Sequence, residues 1–262
     1  DAHPAAPSSI SALLSGLVVK TTGIFLLIRF LFSVYGIHKY PYGDILRVIF
    51  LVVATITTIG GSLFAIAQKD LKRMLAFSTI SQMGYILIGI GFVSTIGLSA
   101  AIIQIVNHAI SKSLLFLCAG AVIWKTGIRD IRKMARIGYK MPLTMTCFTI
   151  GAMSLVGVPP LIGFMSKWAL AEAAMDAKLM IMVGILMISS LLNAIYYFRV
   201  IGIAFFGGAD PTETVTESVV RAEIPLTMAI PLVILALGTV YFGIRVGMME
   251  HLISRAVQVL WL

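Results

Sequence analysis

Four basic side chains lie inside long apolar segments, where a charge is costly to hold. Lys20 is the thirteenth residue of the apolar segment 8–35. His108 and Lys112 are four residues apart in the middle of another segment, so they share one helix face. Lys167 directly follows a stretch rich in proline and glycine. A mid-membrane lysine costs at least about 2.5–3.5 kcal/mol on insertion scales, so these side chains indicate a function.

The chemistry that suits this set is proton transfer. Burial and neighbouring cations disfavour the charged form of a lysine, so a buried lysine can exchange protons near neutral pH. Histidine titrates in that range already. We predict that Lys167 is a protonation site, and that Lys20, His108 and Lys112 belong to one hydrated polar axis. Polar side chains that could order water along this axis are Gln104, Asn107, Ser111, Ser113, Thr21 and Thr22.

Structural explanations exist for the same residues. His108 could be a core imidazole bonded to a backbone carbonyl, and the lysines could form salt bridges. The chain offers no Asp or Glu at the depth of Lys20 or Lys112, so water or a neighbouring segment would have to balance their charge. Three arginines lie closer to segment ends, and we interpret them as snorkelling to the interface: Arg29, Arg73 and Arg199.

The elements that must position these residues are transmembrane helices. The 262-residue chain has a mean hydropathy of +1.01 and only 12% charged residues, against roughly 25% in soluble domains. Continuous apolar runs without strict alternation predict an all-α polytopic bundle rather than barrel strands. A bilayer core needs about 20 apolar residues per helix. Seven segments qualify: 8–35, 45–67, 71–94, 96–124, 142–173, 178–206 and 224–247.

Segment 142–173 is predicted to be a discontinuous helix. Glycines and prolines interrupt it between Gly157 and Gly163, and proline removes a backbone hydrogen-bond donor. In hydrocarbon such a break survives only where protein or a polar cavity covers it, and breaks of this kind mark ion sites in transporters. The tail 248–262 has the apolar spacing of an interfacial amphipathic helix.

The loops predict an orientation in the cell membrane. Basic residues are concentrated in two connections that fall on one side if all seven segments span: Lys69, Lys72 and Arg73 in one, and Lys125, Arg129, Arg132, Lys133, Arg136 and Lys140 in the other. That side is expected to be cytoplasmic, which puts the N-terminus in the cytoplasm and the C-terminus opposite. The loop 207–223 should be solvated on the cytoplasmic side. The same distribution explains the net charge of +9, so no nucleic acid is expected as a partner.

The sequence offers no ligands for a cofactor. Cys118 and Cys147 lie far apart in apolar runs without a CxxC motif, which excludes a cluster or thiolate zinc site built by this chain alone. No nucleotide-binding loop or flavin motif is present. We therefore predict no cofactor and no metal in this chain, and no enzymatic activity of the chain by itself.

Five stretches of the sequence together resemble one family of membrane proteins. They are 1–14, 16–30, 69–84 (KDLKRMLAFSTISQMG), 108–117 (HAISKSLLFL) and 157–167 (GVPPLIGFMSK). The family is that of the proton-conducting antiporter-like subunits. It includes the large membrane subunits of respiratory complex I, the Mrp cation/proton antiporters and the group 4 membrane-bound hydrogenases. The resemblance covers nearly the whole chain.

This resemblance implies two inverted five-helix repeats, each with a broken helix and a half-channel, joined by a central polar axis. It puts Lys20 on the helix that bridges the half-channels and His108 and Lys112 on the axis of the second repeat. Lys167 falls at the terminal proton site, where relatives carry Lys or Glu. Residues 1–44 then form the bridging region, 45–206 the second repeat, and 207–262 the last transmembrane helix and tail.

Family members are usually much longer, and the first repeat would precede Asp1. We therefore expect a split subunit or a fragment, completed by another segment that supplies the first repeat. The leading interpretation is a subunit that translocates protons, or exchanges sodium for protons, within a multi-subunit membrane complex. Any redox chemistry would belong to partner chains.

The host complex could be a hydrogenase or related ferredoxin-linked complex, an Mrp antiporter or complex I, and the first thirty residues favour the first two. Two other functions remain open at this point. One is a structural membrane subunit that does not conduct. The other is an independent transporter of small anions that uses the lysines as counter-charges.

Overall fold

The computed structural model describes residues 5–37, 39, 43–207 and 223–261. The first helix, α1, runs through four consecutive helical segments, of which the second and fourth are π-helical: Ser8–Leu13, Leu14–Ile24, Phe25–Arg29 and Phe30–Val34. The helices that follow are α2 (Gly43–Ala67), α3 (Leu71–Gly91), α4 (Thr95–Thr126), α5 (Ile137–Lys140), α6 (Pro142–Val156), α7 (Ile162–Asp176), α8 (Met180–Phe206), α9 (Leu226–Ile244) and α10 (Val246–Trp261).

Within the described residues, five helices are long and apolar enough to cross a bilayer, namely α2, α3, α4, α8 and α9. Shorter apolar helices cover Thr22–Val34 in α1 and the whole of α6. These positions agree with the seven predicted segments to within a few residues at most ends. The predicted all-α transmembrane bundle is therefore confirmed.

The predicted helix break separates α6 from α7. Gly157 adopts a left-handed conformation with φ of +95°, and its N–H and that of Val158 both donate to the carbonyl of Met153 at 3.0 Å. A glycine in this conformation lets the N–H groups at the end of a helix donate to carbonyls of its last turn, which otherwise have no partner. Helices α6 and α7 pack closely where they meet. A Cβ at Gly163 would lie only 1.6 Å from the carbonyl oxygen of Ser154, so only glycine fits there.

Helix α4 is the centre of the bundle. It packs against α1, α3, α6, α7, α9 and α10. Helices α2 and α3 pair along small residues, and a Cβ at Gly61 would lie 2.5 Å from the backbone nitrogen of Ser81. Small residues let transmembrane helices approach closely, where dispersion and interhelical hydrogen bonds hold them together.

The α2–α3 and α4–α5 connections have the same pattern of a basic residue, Asp, an aliphatic residue and two basic residues: KDLKR at 69–73 and RDIRK at 129–133. Leu71 N–H donates to the carbonyl of Arg129 at 3.0 Å, and Ile131 N–H donates to that of Lys69 at 2.8 Å. The backbones of the two connections are therefore joined directly.

An aspartate in each connection accepts a hydrogen bond from a backbone N–H further along the chain. Asp70 caps α3 through the N–H of Arg73 at 2.8 Å, and Asp130 accepts from the N–H of Arg132 at 2.9 Å. Arg132 also forms a salt bridge to Asp130 at 2.6 Å. Hydrogen bonds from Arg132, first from its side chain and then from its backbone, lower the pKa of Asp130 to about 2.

Helix α10 is amphipathic, as predicted for the tail. Met249, Ile253, Val257 and Leu260 are buried against residues of α1 and α4, while the opposite face is exposed. Its location at a membrane interface stays a prediction. The predicted loop 207–223 lies almost wholly outside the described residues.

Two basic residues differ from their predicted roles. Arg199 does not snorkel: it is half-buried, and its Nη1 and Nη2 donate at 2.6 Å to the carbonyls of Ile66 and Gln68 at the end of α2. A guanidinium satisfies carbonyls that have no partner within their own helix. Lys72, counted in the α2–α3 connection from the sequence, is the second residue of α3; it is 3% exposed and donates to the Ala6 carbonyl.

Candidate functional site

Lys112 lies fully buried on α4, in a pocket of oxygen acceptors. Its Nζ donates to the carbonyl of Leu75 at 3.0 Å, to Ser78 Oγ, and to the hydroxyl of Tyr197 at 3.3 Å. Helix α3 supplies the first two acceptors and α8 the third. Because an ammonium has three N–H donors, this arrangement suits the protonated lysine.

Lys167 lies on α7 just after the helix break, and the break itself supplies part of its surroundings. Its Nζ donates to the carbonyl of Val156 at 2.7 Å and to Ser190 Oγ at 2.9 Å. Val156 is the last residue of α6, so its carbonyl carries part of the negative charge of a helix C-terminus. The Nζ also lies 4.9 Å from the ring centroid of Tyr85, whose face attracts a cation.

The close approach of Lys167 to the break requires a glycine. A Cβ at Gly157 would lie 2.9 Å from Cδ of Lys167. The same glycine has the positive φ that other residues adopt at a cost. One residue thus both ends α6 and leaves room for the lysine side chain.

A chain of buried polar groups on α8 and α3 connects the surroundings of the two lysines. The hydroxyl of Tyr196 donates to Asn193 Oδ1 at 2.7 Å, and Asn193 Nδ2 donates to the hydroxyl of Tyr85 at 3.2 Å. Tyr85 in turn donates to Ser189 Oγ at 2.8 Å. Tyr197, which follows Tyr196 in sequence, contacts Lys112, and Ser190, which follows Ser189, contacts Lys167.

A second network of amides and hydroxyls crosses the bundle beside the first. Gln104 Nε2 donates to Gln82 Oε1 at 2.7 Å, and Asn107 Nδ2 donates to Gln104 Oε1 at 3.2 Å. Three serines complete the network and join α4 to α6 and α7: Ser111, Ser154 and Ser166. Since Ser111 precedes Lys112 and Ser166 precedes Lys167, the two lysines lie at the edge of this polar interior.

The structure brings three of the four predicted site residues into this interior. His108 is fully buried on α4, one turn before Lys112. Lys20 lies on the π-helical part of α1, and its side chain is outside the described part of the chain. Helix α1 does approach α4 closely, since a Cβ at Gly16 would lie 1.9 Å from Ser113 Oγ. The role of Lys20 therefore stays a prediction.

The predicted lining residues divide into two groups. Gln104, Asn107 and Ser111 are buried in the amide network. Ser113 instead donates to the carbonyl of Ala12, and Thr22 donates to its own helix and is exposed. The side chain of Thr21 is outside the described residues.

Sequence reasoning missed the polar residues that α3 and α8 contribute. They are Ser78, Gln82 and Tyr85 on α3, and Ser189, Ser190, Asn193, Tyr196 and Tyr197 on α8. Their signal is a polar or phenolic residue every three to four positions in an otherwise apolar helix, which places them on one face.

The fold and the site define a polytopic helical membrane protein with a discontinuous helix and buried basic residues in a polar interior. Residues 1–193 match the family described as NADH:quinone oxidoreductase/Mrp antiporter, transmembrane. The chain belongs to this family, which confirms the resemblance found in the sequence.

Individual relatives come from several complexes. The chain is 36% identical over 265 residues to NADH-quinone oxidoreductase subunit N of Desulforudis audaxviator, covering 98% of this chain and 52% of the relative. It is 32% identical over 258 residues to hydrogenase-4 component B of Escherichia coli, covering 90% and 37%. The chain thus spans about half, or less, of the length of these relatives.

Solved structures show the same fold. A chain of the Mrp complex from a Dietzia species superimposes with a TM-score of 0.83 at 25% identity, covering 99% of this chain and 55% of that one. A chain of the membrane-bound sulfane sulfur reductase, an archaeal respiratory membrane complex, gives a TM-score of 0.77 at 30% identity, covering 93% and 40%.

Proposed function

We propose that this chain is the proton-translocating part of a membrane subunit in a larger complex, and that Lys112 and Lys167 are its protonation sites. The observation that carries the proposal is the position of Lys167, at a helix break and linked through buried polar groups to the surroundings of Lys112. A lysine held among carbonyls and hydroxyls inside a bundle is suited to gaining and losing a proton.

The roles of the other residues follow the resemblance. His108, one turn from Lys112, serves as an intermediate proton acceptor, and Lys20 connects this interior to the remaining part of the subunit. Residues 45–206 then correspond to the second repeat of the fold, 1–44 to the bridging region and 207–262 to the last helix and tail. Protons are favoured over sodium as the transported ion, because the ammonium groups repel metal cations and the described contacts of Lys112 and Lys167 include no carboxylate that could bind sodium.

We expect other subunits of the complex to supply the first repeat and the redox chemistry. Relatives are named as subunits of NADH-quinone oxidoreductase and of hydrogenase-4, and related chains occur in an Mrp complex and a sulfane sulfur reductase. In our proposal other membrane subunits, including a segment equivalent to the first repeat, surround the chain. Redox chemistry belongs to partner chains, this chain holds no cofactor, and its N-terminus faces the cytoplasm.

The test is to replace Lys167 with Ala in the assembled complex. The complex is reconstituted into liposomes with a pH-sensitive dye, and proton uptake is driven by the reaction or the ion gradient that the complex uses. We expect assembly to be retained and proton uptake to be abolished.

The matched control is Lys125→Ala, because Lys125 is an exposed lysine in the last turn of α4. It should leave transport unchanged. Proton uptake at the parental rate in the Lys167→Ala complex would show that the chain does not conduct through this site, and would favour a structural subunit.

A further inference from the structure

We propose that the side-chain amide of Asn193 has two orientations, and that rotation between them makes protonation alternate between Lys112 and Lys167. This inference rests on the proposed function. It assigns Asn193 a positioning role, since the amide itself neither carries a charge nor passes a proton.

Asn193 lies fully buried between the two lysine sites, and it accepts a hydrogen bond from one neighbouring tyrosine and donates one to another. Its Oδ1 accepts from Tyr196 at 2.7 Å and from Ser62 at 3.2 Å. Its Nδ2 donates to the hydroxyl of Tyr85 at 3.2 Å. An amide has a fixed donor end and a fixed acceptor end, so its orientation decides which way each neighbouring hydroxyl points.

At the Lys112 end, the observed orientation presents oxygen atoms to the lysine. Tyr196 directs its hydrogen to Asn193, away from Tyr197, and the two tyrosine rings are in contact with centroids 4.5 Å apart. The Tyr197 oxygen accepts from Lys112 Nζ. Acceptors that face the nitrogen stabilise the ammonium form of Lys112.

At the Lys167 end, the same orientation presents a hydrogen atom. The Tyr85 oxygen is occupied by the Asn193 N–H, so Tyr85 directs its own hydrogen to Ser189, next to the serine that Lys167 contacts. The Tyr85 hydroxyl thus offers the serines beside Lys167 its hydrogen rather than a lone pair, so the ammonium form of Lys167 is less stabilised than it would be with the hydroxyl reversed. Compared with the reversed orientation, this arrangement therefore shifts the proton from Lys167 toward Lys112.

Rotating the amide by half a turn exchanges its oxygen and nitrogen and reverses both effects. Tyr85 then donates to Oδ1 and turns its oxygen toward the serines beside Lys167. Tyr196 receives the N–H and turns its hydrogen toward Tyr197 and Lys112. The hydrogen bonds to both tyrosines are kept in each orientation, so the amide is a two-state element whose equilibrium both lysines bias.

The alternation concerns a defined set of charged and titratable groups. Those in or beside the network are Tyr85 from α3, His108 and Lys112 from α4, Lys167 from α7, and Tyr196, Tyr197 and Arg199 from α8. Helix α2 contributes the uncharged Ser62.

The test compares two variants of equal size, Asn193→Thr and Asn193→Val, in the assembled complex in liposomes. Both lose the amide and leave the same space, but only threonine retains a hydroxyl that donates in either direction. We expect proton uptake to fall at least about tenfold in the valine variant, because valine leaves the Tyr196 and Tyr85 hydroxyls without their amide partner. In the threonine variant it should stay within about threefold of the parent. In the valine variant the pH range of transport should also narrow, because uncoupled sites titrate closer together.

A second pair of variants distinguishes loss of the amide contact from misfolding. Tyr85→Phe keeps the ring beside Lys167 and removes only the hydroxyl that the amide contacts, and it should reproduce the valine phenotype. Tyr241→Phe makes the same change on the exposed face of α9 and should leave transport unchanged.

Equal rates and equal pH ranges in the threonine and valine variants would overturn the inference, as would parental transport in Tyr85→Phe. If either result accompanied an inactive Lys167→Ala complex, the proposed function would stand without the switch. If Lys167→Ala transported normally, the proposed function itself would fail.

Discussion

Replacing Gly157 with Ala tests how the helix break and Lys167 depend on each other. An alanine in the left-handed region costs about 1–2 kcal/mol relative to glycine. Gly157 has φ of +95°, and its added Cβ would lie 2.9 Å from Cδ of Lys167. The lysine chain must therefore shift, which weakens the 2.7 Å hydrogen bond from Nζ to the Val156 carbonyl.

The magnitude follows from that bond. A hydrogen bond with a charged donor contributes about 1.5–3 kcal/mol, which corresponds to roughly a 10- to 100-fold change in rate if the bond is needed for transport. Gly127→Ala is the matched control, because Gly127 has φ of +70° but open space around its Cβ position. Both variants should lose stability, and only Gly157→Ala should lose transport.

The assay has two parts, thermal unfolding of the purified complex and initial rates of proton uptake in liposomes. The two variants should unfold at similarly lowered temperatures, while their rates differ by at least about tenfold. Equal rates in the two variants would refute the reasoning, because the break would then not control the position of Lys167. Unchanged stability in Gly127→Ala would refute the assumed backbone cost.

Three further predictions concern stability. Arg199→Met should cost about 2–3 kcal/mol, since the Ile66 and Gln68 carbonyls lose a charged donor, whereas the exposed Arg73→Met should cost far less; equal unfolding midpoints would contradict this. Lys72→Met, measured against the exposed Lys69→Met, should lower the free energy of unfolding by about 1–3 kcal/mol, because the Ala6 carbonyl loses its charged donor; equal unfolding midpoints in the two variants would show that the Ala6 contact does not stabilise the fold. The pKa of Asp130 is lowered from its unfolded value near 3.9 to about 2, so the ionised carboxylate stabilises the folded state above pH 4, and this stabilisation is lost as the pH falls toward 2. Hydrogen exchange at the Arg132 amide should therefore be constant from pH 8 to 5, after correction for intrinsic rates, and rise below pH 4, and Asp130→Asn should abolish that rise.

The helices and the break were predictable because each depends on local sequence. Length and continuous hydropathy identify a spanning helix, and the glycines and prolines from Gly157 to Gly163 interrupt one wherever they occur. The confirmed family resemblance likewise rests on contiguous motifs. Lys112 and Lys167 stood out because a basic residue in an apolar segment has few explanations.

The remaining features depend on contacts between distant residues. Lys72 looks like its exposed neighbours Lys69 and Arg73 in the sequence, and its contact with Ala6, 66 positions away, cannot be read from that local pattern. Asn193 and Tyr196 resemble residues that merely pack helices together. Their partners Ser62 and Tyr85 come from α2 and α3, so the network exists only once three helices have assembled.

The backbone hydrogen bonds between the two similar connections, 69–73 and 129–133, limit how this bundle can move. They fasten the beginning of α3 to the loop that follows α4, and those two helices carry Ser78, Tyr85, His108 and Lys112. Such a staple opposes sliding or rocking of one helix past the other. A transport cycle in this chain is therefore expected to proceed by reorientation of side chains and water within a nearly stationary frame. The proton path would then change through its side chains and water while the helices stay in place, unlike a carrier whose two halves rock against each other. A cross-link between the two connections should therefore leave the transport rate unchanged.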